Sequence, residues 1–172
     1  LLIVHGGGFF TGRRTQDELV EFAEFFVRRG WVVFSIDYRL LNDYGTVPED
    51  WITMVEDRDE GRARTKVGKA IYPAVRDAKA AVRWLEANAD DYDIAPNQIA
   101  AMGGSAGSHI SVGLGTTDPM DFRDEITVRT DPTLDTTHLD QEGDVAAVLD
   151  FWGGPEAVVG IHDAFGGDKR WD

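Results

Sequence analysis

Four short apolar runs punctuate the chain: "LLIV" (1–4), "WVVFSI" (31–36), "QIAAM" (98–102) and "VAAVLDF" (145–151). None alternates strictly between polar and apolar residues. Strands covered on both faces, as in a parallel sheet, read this way. The segments between them carry a helical period. In "TQDELVEFAEFFVRRG" (15–30), Leu19, Phe22, Ala23, Phe26 and Val27 fall on one face. Thr15 and Glu18 have capping-box spacing, Arg28 and Arg29 suit the negative C-terminal end, and Gly30 suits the C-cap. A second helix is predicted over "YPAVRDAKAAVRWLEANA", with Pro73 in its first turn and Val75, Ala78, Val82 and Leu85 as its buried stripe. A third begins directly after Ser105 and carries Ile110, Val112 and Leu114. Strands alternating with helices predict an α/β fold, a mostly parallel sheet with helices on both faces.

Two stretches fall outside this alternation. Residues 42–69 are long and mixed in charge, with a short amphipathic helix predicted around Trp51, Met54 and Val55. Residues 116–144 carry nine acidic and two basic side chains and read as a long loop. Loops of that length in a compact domain are usually functional or mobile. Both are expected to border a binding pocket, with Tyr44, Trp51 and Phe122 as candidate wall residues.

Composition narrows the chemistry. With 172 residues the chain fits one domain, and its 42% hydrophobic and 28% charged residues fit a globular one. The formal net charge of −14 repels nucleic-acid phosphates and anionic lipid heads, so neither is an expected partner. No apolar run approaches the ~20 residues of a membrane span. The absence of cysteine removes disulfides, thiolate metal sites and a cysteine nucleophile. The acidic loop could hold a calcium ion, but its carboxylates lack a recognisable ligand spacing, so no metal is expected there, and no organic cofactor is expected either.

Two glycine-rich stretches carry the candidate chemistry. Residues 103–107, Gly-Gly-Ser-Ala-Gly, match G-x-S-x-G between a predicted strand and a predicted helix. A turn this tight strains the serine backbone and lifts its hydroxyl above the strand ends. A Cβ at Gly103 or Gly107 would clash where strand and helix meet, and Gly104 completes the turn. The second stretch, "HGGGF" (5–9), directly follows the first strand. Glycines let backbone N–H groups face inward, as a site stabilising a developing oxyanion requires. His5 is expected to position this turn rather than to act as a base.

With both motifs present, the chain resembles the α/β-hydrolase superfamily, and within it the hormone-sensitive-lipase-like and bacterial feruloyl-esterase-like carboxylesterases. The matching stretches are "LLIVHGGGF", "VVFSIDYRL", "YPAVRDAKAAVRWLEANADDYDIAPNQIAAMGGSAGSH" and "VAAVLDFWG". The resemblance implies Ser105 as nucleophile and the N–H groups of Gly7, Gly8 and Ala106 as the oxyanion hole. It implies structural roles for Asp37, Tyr38, Arg39, Asp77, Arg83 and Trp84. His109 is expected to pack or to hydrogen-bond within its helix, and His138 to lie in solvent.

In this fold the triad runs Ser, then Asp or Glu, then His. The resemblance places acid and base on loops after later strands, so residues 1–172 are expected to form one incomplete domain lacking the first and last strands. Within the chain, Asp150 and His162 are the weak candidates for acid and base. The resemblance implies a small-molecule ester substrate for the parent protein, and short-chain, aryl and acetylated-sugar esters all remain open. Little turnover and low stability are expected of the chain alone. The alternative is a non-catalytic ligand-binding or adhesion module on the same fold.

Overall fold

The computed structural model describes residues 1–43, 45–57 and 62–153. Its elements follow in the order β1 (Leu2–Val4), α1 (Asp17–Val27), β2 (Phe34–Ile36), α2 (Glu49–Asp57), α3 (Arg62–Ala87), β3 (Ala100–Gly104), α4 (Ala106–Thr116) and β4 (Ala147–Phe151). The four strands form one parallel sheet in the order β2-β1-β3-β4. Each expected apolar run supplies one strand.

β1 shows why its run is continuous. Leu2 and Val4 face a core built with Ala74, Val75, Ala78, Val82, Leu85, Ile110 and Leu114 of α3 and α4. Leu1 and Ile3 face the other way, with Ala100 and Met102, toward Leu19, Phe22, Ala23 and Phe26 of α1. The sheet is thus covered on both faces, in three layers. β2 and β4 depart from the expected double burial. Their residues are half-buried or exposed, because an edge strand has a neighbour on one side only.

α1 ends as its sequence implies. Gly30 takes φ +86°, its N–H donates to Val27 O at 3.0 Å, and the Trp31 N–H donates to Phe26 O at 3.2 Å. This is the Schellman arrangement, which needs a left-handed residue. The start differs. Gln16 is the N-cap, and its side chain makes no capping hydrogen bond. Arg14, two residues earlier, is tied to the Asp37 carboxylate through both its backbone N–H and its guanidinium. That tether, rather than a Thr15–Glu18 box, fixes where the chain turns into the helix. Val27, the last helical residue, is exposed.

α3 begins at Arg62, ten residues before the expected start, so Pro73 lies inside the helix. The segment before it holds the expected amphipathic helix, α2, with Trp51 and Val55 buried. The predicted stripe of Val75, Ala78, Val82 and Leu85 is buried. A second stripe on α3 is charged and also buried: Arg76, Lys79 and Arg83. These cations hold the acidic segment that follows α4. Arg76 pairs with Asp131 at 3.0 Å, Lys79 donates to the Asp118 carbonyl, and Arg83 Nε donates to Thr137 O at 2.8 Å. Phe122, Ile126 and Leu134 sink into the core from the same segment. The stretch is therefore anchored, and its short 3-10 turn at Pro132–Thr136 is capped by the Asp131 carboxylate. Trp51, Tyr72 and Phe122 meet tilted or edge-on inside this core, with ring centroids 5.2–5.6 Å apart, and all three are buried. Tyr44 lies outside the described residues.

The "DYRL" segment braces the sheet. Asp37 takes Arg14, Tyr38 Oη donates to His5 O at 3.0 Å, and the Arg39 guanidinium grips Asp77 of α3 at 2.8–3.0 Å. Trp84 packs edge-on against Phe34 and beside Tyr92.

At Gly107 helix α4 comes close against the end of β1. A Cβ there would overlap the Val4 carbonyl oxygen and lie 2.7 Å from His5 O. Gly107→Ala is expected to destabilise the fold by about 3 kcal/mol, since overpacking against backbone cannot relax by a side-chain rotation. A urea midpoint equal to wild type contradicts this. Burial lowers the Lys79 ammonium from its ordinary 10.5 to about 8, opposed by Asp121, Asp144 and Glu125. Between these values the unfolded chain binds more protons than the folded one, so this residue's contribution to stability rises with pH. Wild type is expected to gain stability relative to Lys79→Met between pH 8 and 10.5, measured by denaturant titration. A difference that is flat or falls across that window contradicts it.

Candidate active site

The strand-to-helix turn between β3 and α4 contains one residue, Ser105. Its backbone takes φ 53° and ψ −120°, a conformation a non-glycine residue rarely adopts, and its side chain is exposed. The geometry is imposed from three sides. A Cβ at Gly103 would lie 2.8 Å from Ser108 N, and Gly107 sits against the end of β1. The Ser105 N–H donates to Phe151 O at the end of β4, at 3.1 Å. The Ser105 carbonyl accepts from Ser108 N and His109 N, at 3.0 and 3.2 Å, and so opens α4. The hydroxyl therefore stands at the positive end of a helix.

The "HGGGF" turn lies directly against this serine. Gly6 faces it: a Cβ there would be 2.9 Å from Gly104 O and 3.6 Å from Ser105 Cβ. Gly7, Gly8 and Phe9 all take positive φ, at 119°, 62° and 64°. The turn closes through Phe10 N and Thr11 N, both donating to Gly7 O. Among the described residues none accepts a hydrogen bond from the N–H of Gly7, Gly8 or Ala106. Three backbone donors thus remain unengaged, two in the turn that meets the exposed Ser105 through Gly6 and one on the residue that follows it. Gly6 was not singled out by its motif, although its contact follows from the run of three glycines.

The histidines divide clearly. His5 is buried, its ring stacked on Tyr38 at 4.2 Å and its Nδ1 2.7 Å from Gly6 O. Desolvation lowers its pKa, so the ring sits neutral under the glycine turn. His109 turns Nδ1 back to Ser105 O at 2.8 Å and meets Phe9 edge-on. His138 is half-buried in the acidic segment, not fully solvated. His162 lies outside the described residues. Asp150 Oδ1 is engaged by the Ser108 hydroxyl and by Gly153 N at 2.9 Å. Among the described residues no histidine hydrogen-bonds the Ser105 hydroxyl.

From Ser105 a largely apolar groove of about 730 Å³ runs past Trp152, Phe151 and Met102 to Phe22 and Phe26 of α1. Trp152 is 75% exposed, takes φ 47°, and lies over Gly104, where a Cβ would stand 3.1 Å from its ring. Sequence reasoning missed Trp152. Its only signal was its place directly after the last strand.

Solved structures that this chain resembles include esterases. Esterase 2 of the planctomycete Thermogutta terrifontis, bound to butyrate, aligns with a TM-score of 0.57 and 22% identity over 88% of this chain and 41% of its own. The same enzyme phosphonylated by cyclosarin aligns with a TM-score of 0.57 and 23% identity over 88% and 44%. A truncated carbohydrate esterase from gut microbiota gives 0.59 and 20% over 88% and 45%. The chain thus spans less than half the length of these proteins. At such identities the likeness establishes the fold, that of the α/β-hydrolases. No curated protein matches the chain. The sequence itself carries a further relation, since residues 63–166, more than half of the chain and including the Ser105 turn, match the BD-FAE family. The chain belongs to that family.

Proposed function

We propose that the protein carrying this chain is a serine carboxylic-ester hydrolase that works through an acyl-enzyme. The observation that carries this reading is the exposed Ser105, held on a strained turn at a helix N-terminus, with three unengaged backbone donors in the adjoining glycine turn and at Ala106. In the first step the Ser105 Oγ attacks the ester carbonyl carbon. The carbonyl π-pair moves to oxygen, and that oxyanion faces the N–H groups of Gly7, Gly8 and Ala106. One such donor typically contributes ~3 kcal/mol to the transition state. The tetrahedral intermediate collapses, and the alcohol leaves with the proton taken from Ser105. Water then attacks the acyl-serine carbonyl in the same geometry, the acyl C–Oγ bond breaks, the carboxylic acid departs and a proton from the water restores the Ser105 hydroxyl.

Ester chemistry fits the related proteins. Thermogutta terrifontis esterase 2 holds butyrate or propionate and reacts with cyclosarin and paraoxon. Electrophilic phosphorus reagents of this kind mimic the tetrahedral stage of acyl transfer. The base and its acid are assigned to no described residue. Asp150 Oδ1 accepts from Ser108 and Gly153, and His162, its candidate partner, lies outside the described residues.

The test uses the protein at its natural length with p-nitrophenyl acetate. Ser105→Ala is expected to lower kcat at least ~10³-fold, toward the residual rate that oxyanion donors and binding alone sustain. A fluorophosphonate is expected to add to Ser105 alone, read by peptide mass spectrometry. Folded wild-type protein that neither turns over esters nor forms this adduct contradicts the proposal and supports the ligand-binding module.

A further inference from the structure

The end of β4 grips the serine turn at two adjacent residues. Phe151 O accepts the Ser105 N–H. Asp150 Oδ1 accepts the hydroxyl of Ser108, which is fully buried one turn into α4. Ser108 N in turn donates to Ser105 O at 3.0 Å. These bonds close a ring: Ser105 to Phe151, along the strand to Asp150, across to Ser108, and back to Ser105. Gly153 N adds a second donor to Asp150 Oδ1 at 2.9 Å and draws the chain beyond Trp152 into the knot. A Cβ at Gly153 would lie 2.6 Å from that same oxygen, so the knot leaves no room for a side chain there.

We propose that Asp150 is a positioning residue for the nucleophile: acting through Ser108, its carboxylate oxygen fixes the first turn of α4 and thereby the strained backbone of Ser105. The inference rests on the ester-hydrolase reading and assigns Asp150 a role other than the triad acid. The two roles differ chemically. A triad acid must be anionic, because it stabilises a developing imidazolium. An anchor needs only an oxygen that accepts from a hydroxyl and an amide. An asparagine carbonyl in the same place supplies that oxygen and no charge.

The experiment measures kcat and KM on p-nitrophenyl acetate for the natural-length protein and its Asp150→Asn, Asp150→Ala, Ser108→Ala and Asp150→Ala/Ser108→Ala variants. Ser105→Ala serves as the reference, and thermal melts establish that each variant is folded. Asp150→Asn is expected to stay close to wild-type kcat. Asp150→Ala and Ser108→Ala are each expected to lose about tenfold or more in kcat with little change in KM, as a small misplacement of a reacting group does. The double variant is expected to lose no more than the worse single, because both remove one shared interaction. Ser108→Ala deletes a single hydroxyl and keeps the test open if Asp150→Ala fails to fold. An Asp150→Asn variant as damaged as Asp150→Ala overturns the inference in favour of a charged role. Wild-type kcat in both alanine variants, or losses that simply multiply in the double, also overturns it. Turnover that survives Ser105→Ala sinks the ester-hydrolase reading itself, and the inference with it. The Asp150 and Ser108 outcomes bear on the inference alone.

Discussion

Helix α4 starts so close to the end of β1 that no side chain fits between them, and the site is built around that contact. With a hydrogen at Gly107 in place of a methyl, the helix rests on the Val4 and His5 carbonyls. The chain leaving β3 then has one residue in which to turn, and Ser105 absorbs the whole change in direction with positive φ. Strain of this kind costs on the order of 1–3 kcal/mol and persists only where the surroundings over-determine it. Here they do: β1 lies below, β4 to one side through Phe151 and Asp150, and the glycine turn above. The same closeness brings the glycine turn against Ser105 through Gly6, so the proposed nucleophile and its proposed donors follow from one packing constraint.

The rest of the fold holds that contact in place. Apolar layers on both sides of β1 and β3 fix the sheet. α3 contributes twice, packing its apolar stripe on the sheet and turning its cations to the segment after α4. Burying Arg76, Lys79 and Arg83 carries a desolvation cost, which the Asp131 carboxylate and the Asp118 and Thr137 carbonyls offset. An acidic stretch that reads as a long loop thereby becomes a wall of the core, with Asp131 paired to Arg76.

Much of this was legible in the sequence. Uninterrupted apolar runs marked the four strands, although burial on both faces, which removes alternation, holds only for β1 and β3. Gly30 marked the end of α1, since a left-handed cap favours glycine. Ser105 and its flanking glycines could be read for the same steric reason. The failures share a physical cause as well. The start of α1, the early start of α3 and the burial of Phe122 and Trp51 are all set by partners outside the segment itself: Asp37 for Arg14, α2 for the front of α3, and α3 for the acidic segment. Asp150 shows the limit most clearly. Its place at a strand end marks it as a candidate acid, and only its contact with Ser108, 42 residues away, reveals how it is engaged.

The central claim is that the donors beside Ser105 are aimed at charge that forms on a substrate oxygen. The most direct measurement is a crystal structure of the natural-length protein after reaction with a fluorophosphonate, whose phosphoryl oxygen occupies the place of the oxyanion. The account predicts phosphorus bonded to Ser105 Oγ, with that oxygen ~2.7–3.1 Å from the N–H of Ala106 and of Gly7 or Gly8. A phosphoryl oxygen turned to solvent, or an adduct on another residue, contradicts it.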